Sequence, residues 1–516
     1  MSGGIPGRIE FDVVVVGGGG SGLAAAIEAA SLGRRVVLLE KGERLGGTTG
    51  RSVGSISATN TPHQRRKGIL DRPEDHLADL YRFNAKLGVP DREDFSRLLV
   101  ENVPETVRWL MEMGVTFFGP MNELPHRKPR MHNVLPNSRA YIFHLGRRAR
   151  RLGVDIRLSA AAREIVMQDG RAVGVLCDTP GGPIEFRGRG GVVLASGDYS
   201  ASAEMKAELI SPAVAAFPAV NPTNTGDGHR MAMAVGARIV NGHLYHAGIR
   251  FPAPPPSWIT ALPPHRPFTW AMNMALEHLP GRLLRPILMR FLTTVLVPSP
   301  NMFRAGALAV NKRGERFADE RTPFDEALAG QPDQSAYILL DASHVARFTG
   351  WPHYVSTVPG FAYASVEDYR RNRKDICFAA DSLRGLGDRT GIPPTALERT
   401  VSAYNAGEAE GGPARGDRPA FGPGPFLAMG PVRTHVNFID GGLAVDGQFR
   451  VLGTGDSPIP GLYAAGLTGL GGVLLEGHGH HLGWVFTSGR FAGRNAAFEV
   501  VTADLPEAAA TTAPAH

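Results

Sequence analysis

The chain is 516 residues long, 43% hydrophobic and 20% charged, a balance that excludes a disordered chain and supports roughly two to four structural units around large cores. Its 64 glycines and 40 prolines follow no short period, which excludes collagen and low-complexity chains. Net charge is only +6 and no aromatic-interleaved basic patch is present, so nucleic acid is not an expected partner. No apolar run reaches the roughly 20 residues of a spanning helix. The two cysteines, Cys177 and Cys377, make neither a disulfide framework nor a CxxC metal pair. The first residues lack the charged and apolar regions of a secretory signal, so a cytoplasmic location is expected.

In chain order, Phe11–Val16 (FDVVVV) reads as a buried parallel strand. Gly17, Gly19 and Gly22 follow as GxGxxG, with Gly20 and Ser21 between them. Leu23–Leu32 has helix-forming composition and Gly33 stops it; Arg35–Glu40 (RVVLLE) is a second buried strand ending in an acid. This strand–turn–helix–strand unit is the context in which a glycine fingerprint binds a dinucleotide. The glycines allow a tight turn and close backbone approach, the helix start offers free N–H groups to phosphates, and Glu40 can accept from ribose hydroxyls. Lys41–Gly54 (KGERLGGTTGRSVG) adds a second small-residue loop, from which Lys41, Gly46, Gly47, Thr48, Thr49, Gly50, Arg51 and Ser52 can lie along the same cofactor. Val154–Val175 and Gly191–Ala195 read as further strands of this unit. Far downstream, Pro458–Gly466 is a turn, short strand and small-residue stop, and Gly469–Gly489 is a glycine-rich loop running into an apolar helix.

Between them, Ile249–Leu296 opens proline-rich and continues as HLPGRLLRPILMRFLTTVLV, with apolar residues and arginines at helical spacing. An amphipathic helix is expected there, either packed as a lid or facing a membrane surface.

EKGERLGGTTGRS, VVLASGDYS (192–200), NPTNTGDGHRMAMAVGA (221–237), NKRGERFADE (311–320) and IPGLYAAG resemble the fumarate reductase/succinate dehydrogenase flavoprotein family, including its 3-ketosteroid Δ1-dehydrogenase branch. The resemblance runs through residues 10–500 in consistent order. It implies an α/β fold: a Rossmann-like FAD-binding domain of the GR2 type, discontinuous over 1–235 and 425–505, with an inserted α+β capping domain at 236–424; the tail at 506–516 is expected to be disordered. It adds Ala162, Ala195, Ser196, Gly197, Asn224, Asp227, Gly466, His481 and Leu482 to the cofactor contacts. Family members with covalent flavin attach it to a histidine in the segment where this chain has GGTTGRS, so FAD is expected to be noncovalent. The flavin would carry two-electron chemistry at a C–C bond.

The family pattern is interrupted where it should act on substrate. Phe324 stands where fumarate reductases carry an acid-donating arginine, and Phe438 where they carry a substrate histidine. Leu475 stands at a tyrosine position of the ketosteroid dehydrogenases, although the Gly479 amide still aligns with a carbonyl-binding position. Two phenylalanines in place of polar groups favour a less polar substrate. Replacement chemistry is expected from Tyr245 and His246 (with His243 beside them), and from His478 in EGHGHH, whose HxHH pattern is not expected to bind metal. Tyr199 and the HRKPRMH loop (His126, Arg127, Arg130, His132) are further titratable candidates.

The expectation is an FAD-dependent oxidoreductase exchanging a hydride and a proton across a C–C bond α,β to a carbonyl in a fairly apolar, cyclic or steroid-like ketone. Its partners are a lipophilic small molecule and an external electron acceptor or donor, with peripheral membrane association as an open addition. One rival is a reductase of a small unsaturated carboxylate using Arg127, Arg130, Arg250 or Arg321; another is a flavoprotein electron-transfer or assembly subunit.

Overall fold

The run expected as a strand at Phe11–Val16 is the buried half of strand Gly7–Val16. Apart from Asp12, which accepts from the Arg35 amide at 2.8 Å, it is apolar, as suits an inner strand whose two faces are covered: it runs parallel to Val36–Leu39 on one side and to Gly182–Leu194 on the other, with Val15 opposite Leu38 and Val193. The computed structural model describes residues 7–255, 258–293, 297–358, 362–409, 412 and 414–503. The tail at 506–516 and residues 294–296 of the amphipathic stretch lie outside them.

The sheet continues in the order Arg450–Leu452, Pro458–Ala464, Gly182–Leu194, Gly7–Val16, Val36–Leu39, Asp155–Arg157, with Ala161–Gln168 and Arg171–Thr179 joined antiparallel beside Gly182–Leu194. Helix Gly20–Ser31 follows the first strand, and the C-terminal helix His480–Ala503 packs beside it, tied by Arg490 Nε donating to Glu28 Oε1 at 2.6 Å. One core holds these pieces together: Val13–Val16, Leu23, Leu462, Trp484 and Phe486 are all buried in it. The chain is thus α/β, with a parallel doubly covered sheet, and its two ends build one domain.

A second, antiparallel sheet occupies the middle of the chain. Phe426–Ile439 is its centre, paired with Tyr245–Arg250, Ala336–Leu340 and Cys377–Ala380, while Leu308–Asn311 pairs outside Ala336–Leu340. Its core is separate and includes Ile338, Leu340, Phe348, Tyr369 and Met429. A boundary at 425 would sever Phe426–Ile439 from all three of its partners. We place the return crossing at Gly442–Leu443, which pairs antiparallel with Ile239–Val240, so the outgoing and returning strands lie side by side.

The stretch expected as one amphipathic helix is two, Arg266–His278 and Gly281–Leu292. Pro280 explains the break: the residue before a proline is driven from the helical region, and Leu279 is extended at φ −81°, ψ 142°. Among the described residues, no helix is long and apolar enough to cross a membrane.

Candidate functional site

A cavity opens where the first strand meets its helix, lined by the glycine turn, Glu40, Lys41, Thr48, Thr49 and Asp227 among others. Two glycines show how the turn works. A Cβ on Gly22 would stand 1.8 Å from the Gly17 carbonyl oxygen, so the helix can sit this close to the strand only without a side chain there. A Cβ on Gly19 would meet no atom within 4 Å; this glycine faces the open cavity, where a pyrophosphate needs the backbone bare. Glu40 holds the turn by accepting from the Gly18 amide at 2.8 Å and the Gly42 amide at 2.7 Å. Lys41 donates to Asp227 at 2.6 Å. Asn221 and Asn224 both donate to Thr48 Oγ1, at 2.9 and 3.0 Å, binding the second small-residue loop to the NPTNTGDG segment. The donor set and the bare glycine fit a flavin dinucleotide.

A second cavity adjoins the first. Thr48, Thr49, Leu467 and Val485 line both, so a group filling the first meets the second there. The second cavity has apolar walls in Phe83, Phe438, Val53 and Leu482, and polar groups in His246, His478, His481, Glu123, Glu476 and Lys86. The loop before the C-terminal helix forms its floor. That loop is held by Asn84 accepting from the Glu476 amide at 3.1 Å, and by Ser57 donating to the His478 carbonyl at 2.7 Å.

Each cation of the second cavity has a carboxylate. His478 Nδ1 is bonded to buried Glu123, whose two oxygens also accept from the His478 amide at 3.3 and 3.2 Å. Burial alone would depress the His478 imidazolium; Glu123 outweighs it and raises the pKa. Asp440 lies between two histidines: His246 Nε2 donates to one oxygen at 2.7 Å, and His481 Nε2 reaches the other at 2.7 Å. Glu476 stands 2.9 Å from His246 Nε2 as an ion-pair contact and 2.7 Å from Lys86 Nζ. Against its burial, Asp440 and Glu476 push His246 up to about 9; against their own burial, Asp440 is held below its ordinary value by His481 and His246, and Glu476 by His246 and Lys86.

This has a consequence for stability. A histidine raised from 6.5 to about 9 contributes fully below pH 6.5 and loses its contribution as pH rises through 9. Unfolding free energies from urea titrations should therefore fall between pH 6.5 and 9.5, by up to about 3 kcal/mol from this group. The His246→Asn variant should show a flatter slope over that window. An unchanged slope would mean that His246 is not charged in the folded protein.

The structure brings most of the expected cofactor residues together. Fifteen of the twenty-three line the first cavity, among them Gly17, Gly20, Ser21, Gly47, Ala162, Ala195, Ser196, Gly197 and Asn224. Ser52, His481 and Leu482 line the second cavity instead. Gly22 acts by packing; Gly46, Gly50, Arg51 and Gly466 line neither, and Arg51 is exposed. Of the four residues expected in catalysis, His246, His478 and Gly479 line the second cavity. Tyr245 does not: successive strand residues face opposite ways, and it packs with Tyr199, Phe217 and Val436 on the other face. Tyr199 spends its hydroxyl on the Gly242 carbonyl at 2.5 Å, and His132 bonds Thr61 Oγ1 at 2.9 Å. Arg130 is buried against Asp71 and Asp79, Arg127 pairs with Asp79, Arg321 with Asp319, and Arg250 donates to Asn437. None of these four arginines lines either cavity. Phe324 is buried among Phe303 and Phe317. Glu123, Glu476 and Asp440, the three acids that charge the site's histidines, were not anticipated.

Comparison with known proteins agrees with the fold. An NADH:acrylate oxidoreductase of Vibrio harveyi is 26% identical, with 94% of this chain and 50% of that protein aligned. The chain spans about half the length of the first curated relatives it matches. Among solved structures, the open conformation of a flavocytochrome c3 fumarate reductase superposes with a TM-score of 0.72 at 24% identity, covering 96% of this chain and 79% of that one. A 3-ketosteroid Δ1-dehydrogenase from Sterolibacterium denitrificans superposes at 0.63 and 20% identity, covering 95% and 99%. Residues 12–474 match the FAD binding domain family, so the chain belongs to that family and its cofactor is FAD.

Proposed function

We propose that this protein is an FAD-dependent oxidoreductase that exchanges a hydride and a proton across a C–C bond next to the carbonyl of a neutral, largely apolar, cyclic ketone. The observation that carries this reading is the charge pattern of the second cavity. Its cations, His246, His478 and Lys86, each stand against a carboxylate, and none of the named arginines lines it. A substrate carboxylate would find no uncommitted positive charge, while Phe83, Phe438, Val53 and Leu482 suit a ring.

FAD, when bound, supplies the hydride exchange. The remaining work falls to the chain. His478 is oriented through Nδ1 by Glu123, and its Nε2 has no hydrogen bond among the described residues, so this nitrogen is the one that can take or give the proton beside the carbonyl. His246, held charged through Nε2 by Asp440, presents an Nδ1–H that can donate to the carbonyl oxygen and stabilise enolate charge. The walls exclude water from both events. Such a substrate is lipophilic, and peripheral membrane attachment would raise its local supply; the electron donor or acceptor is external to the chain.

The similarity to an acrylate oxidoreductase supports a second reading, reduction of a small unsaturated acid. Titration of the oxidised holoprotein separates the two. Steroid-sized and smaller cyclic enones should perturb the flavin absorption saturably, and succinate and fumarate should not. The reverse pattern would overturn the proposal in favour of the acid.

A further inference from the structure

The two helices Arg266–His278 and Gly281–Leu292 have an ordinary inner side. Thr269 bonds Thr116 Oγ1 at 2.8 Å, and Met289 and Leu292 are buried in the inserted domain's core. Their outer side is different. Of the sixteen large apolar side chains that stand exposed among the described residues, eight fall between Trp258 and Val297. Trp270 is 65% exposed, Leu283 60% and Trp258 54%. Single exposed apolar residues need no explanation, but half of a protein's total gathered in about forty residues does.

The charge near this patch is mainly positive, although Arg285 is paired with Asp368 at 2.6 Å. The two helices carry Arg266, Arg282, Arg285 and Arg290 against Glu277. Beside the start of the first of them, helix Arg139–Arg151 ends in a run of arginines, and Arg147, Arg148 and Arg151 line one cleft together with Arg266 and Glu112. Exposed tryptophans and aliphatic side chains thus occur along the two helices together with arginines, and an arginine-lined cleft adjoins the first helix at Arg266.

We propose that this helix pair and the arginine-rich helix beside it dock the protein peripherally on an anionic bilayer. Tryptophans and aliphatic side chains of such a face enter the boundary between headgroups and acyl chains, and arginines hold the anionic headgroups. Neither helix needs to span the membrane for this. A second copy of the chain suits the face less well. A two-fold contact sets a patch against itself, and here that would oppose arginines with arginines. The inference stands whether or not the ketone reading is correct.

The test is sedimentation of the purified full-length holoprotein with vesicles of phosphatidylcholine alone, or of phosphatidylcholine and phosphatidylglycerol in equal parts. Binding to the anionic vesicles should be at least tenfold stronger than to the neutral ones, and should weaken in high salt. The double variant Trp270→Ser/Leu283→Ser should lose at least tenfold while keeping its flavin spectrum and circular dichroism, since both side chains are exposed. The Arg147→Gln/Arg148→Gln/Arg151→Gln variant should lose the preference for anionic lipid. The proposal is overturned if the parent does not sediment with anionic vesicles, or if the Trp270→Ser/Leu283→Ser variant sediments equally well. It is equally overturned if the parent forms a dimer that this variant dissolves and binds neither vesicle; the face would then be an interface between copies.

Discussion

Replacing His478 by Asn should lower turnover of the best enone or ketone substrate by about 10²- to 10⁴-fold, the range for loss of a positioned general acid or base, while FAD stays bound. The imidazole lines the second cavity and not the first. Its proton affinity is set by Glu123, so Glu123→Gln should also impair the reaction, with a distinct signature. His478 retains an imidazole in that variant but loses the carboxylate that raises its pKa. The pH profile should therefore shift to lower pH, whereas His478→Asn should flatten it. Equal turnover in His478→Asn and the parent would remove this residue from the reaction.

The second large effect concerns two glycines of one turn that should fail differently. In Gly22→Val the new Cβ would fall 1.8 Å from the Gly17 carbonyl oxygen, forcing helix from strand at a cost above about 3 kcal/mol. The flavin would be lost together with stability. In Gly19→Val the Cβ meets open space, so the protein freed of flavin should melt as the parent does. The side chain would, however, occupy the pyrophosphate's approach, and FAD should be lost all the same. The 450 to 280 nm absorbance ratio reads flavin content, and thermal melts of protein stripped of flavin read the fold. A Gly19→Val protein that retains full flavin would contradict the placement of the dinucleotide in this cavity.

These two predictions draw on parts of the molecule that were unequally legible in the sequence. The cofactor turn could be read because it works through backbone and local order: strand, glycines, helix and acid lie within thirty-four residues, from Gly7 to Glu40. The proposed reacting groups could be read only by half. His246 and His478 stood out as titratable side chains, one after the TGDG helix and one in the loop before the C-terminal helix. Their partners did not, because the pairs close across great distances in sequence: Glu123 is 355 residues from His478, and Asp440 is 194 from His246. No local pattern marks an acid that becomes important through such a contact. Tyr245 lies outside the second cavity for a simpler reason, since in a strand the residue beside one that faces the cavity faces away from it. The inserted domain's edge at 425 was likewise unreadable: Phe426–Ile439 pairs with strands that precede it in sequence by up to 194 positions, and only that pairing assigns it. Pro280, by contrast, was visible in the sequence and sufficient to divide the expected single helix.

The central claim is that a neutral unsaturated ketone, and not a small acid, reacts in the cavity of His246 and His478. The most direct measurement is reoxidation of the anaerobically reduced flavin, followed at 450 nm after mixing with a cyclic enone or with fumarate or acrylate. The account predicts recovery of the band with the enone, loss of that recovery by at least 10²-fold in His478→Asn, and no recovery with either acid. Rapid reoxidation by fumarate or acrylate, with the enone inert, would contradict it.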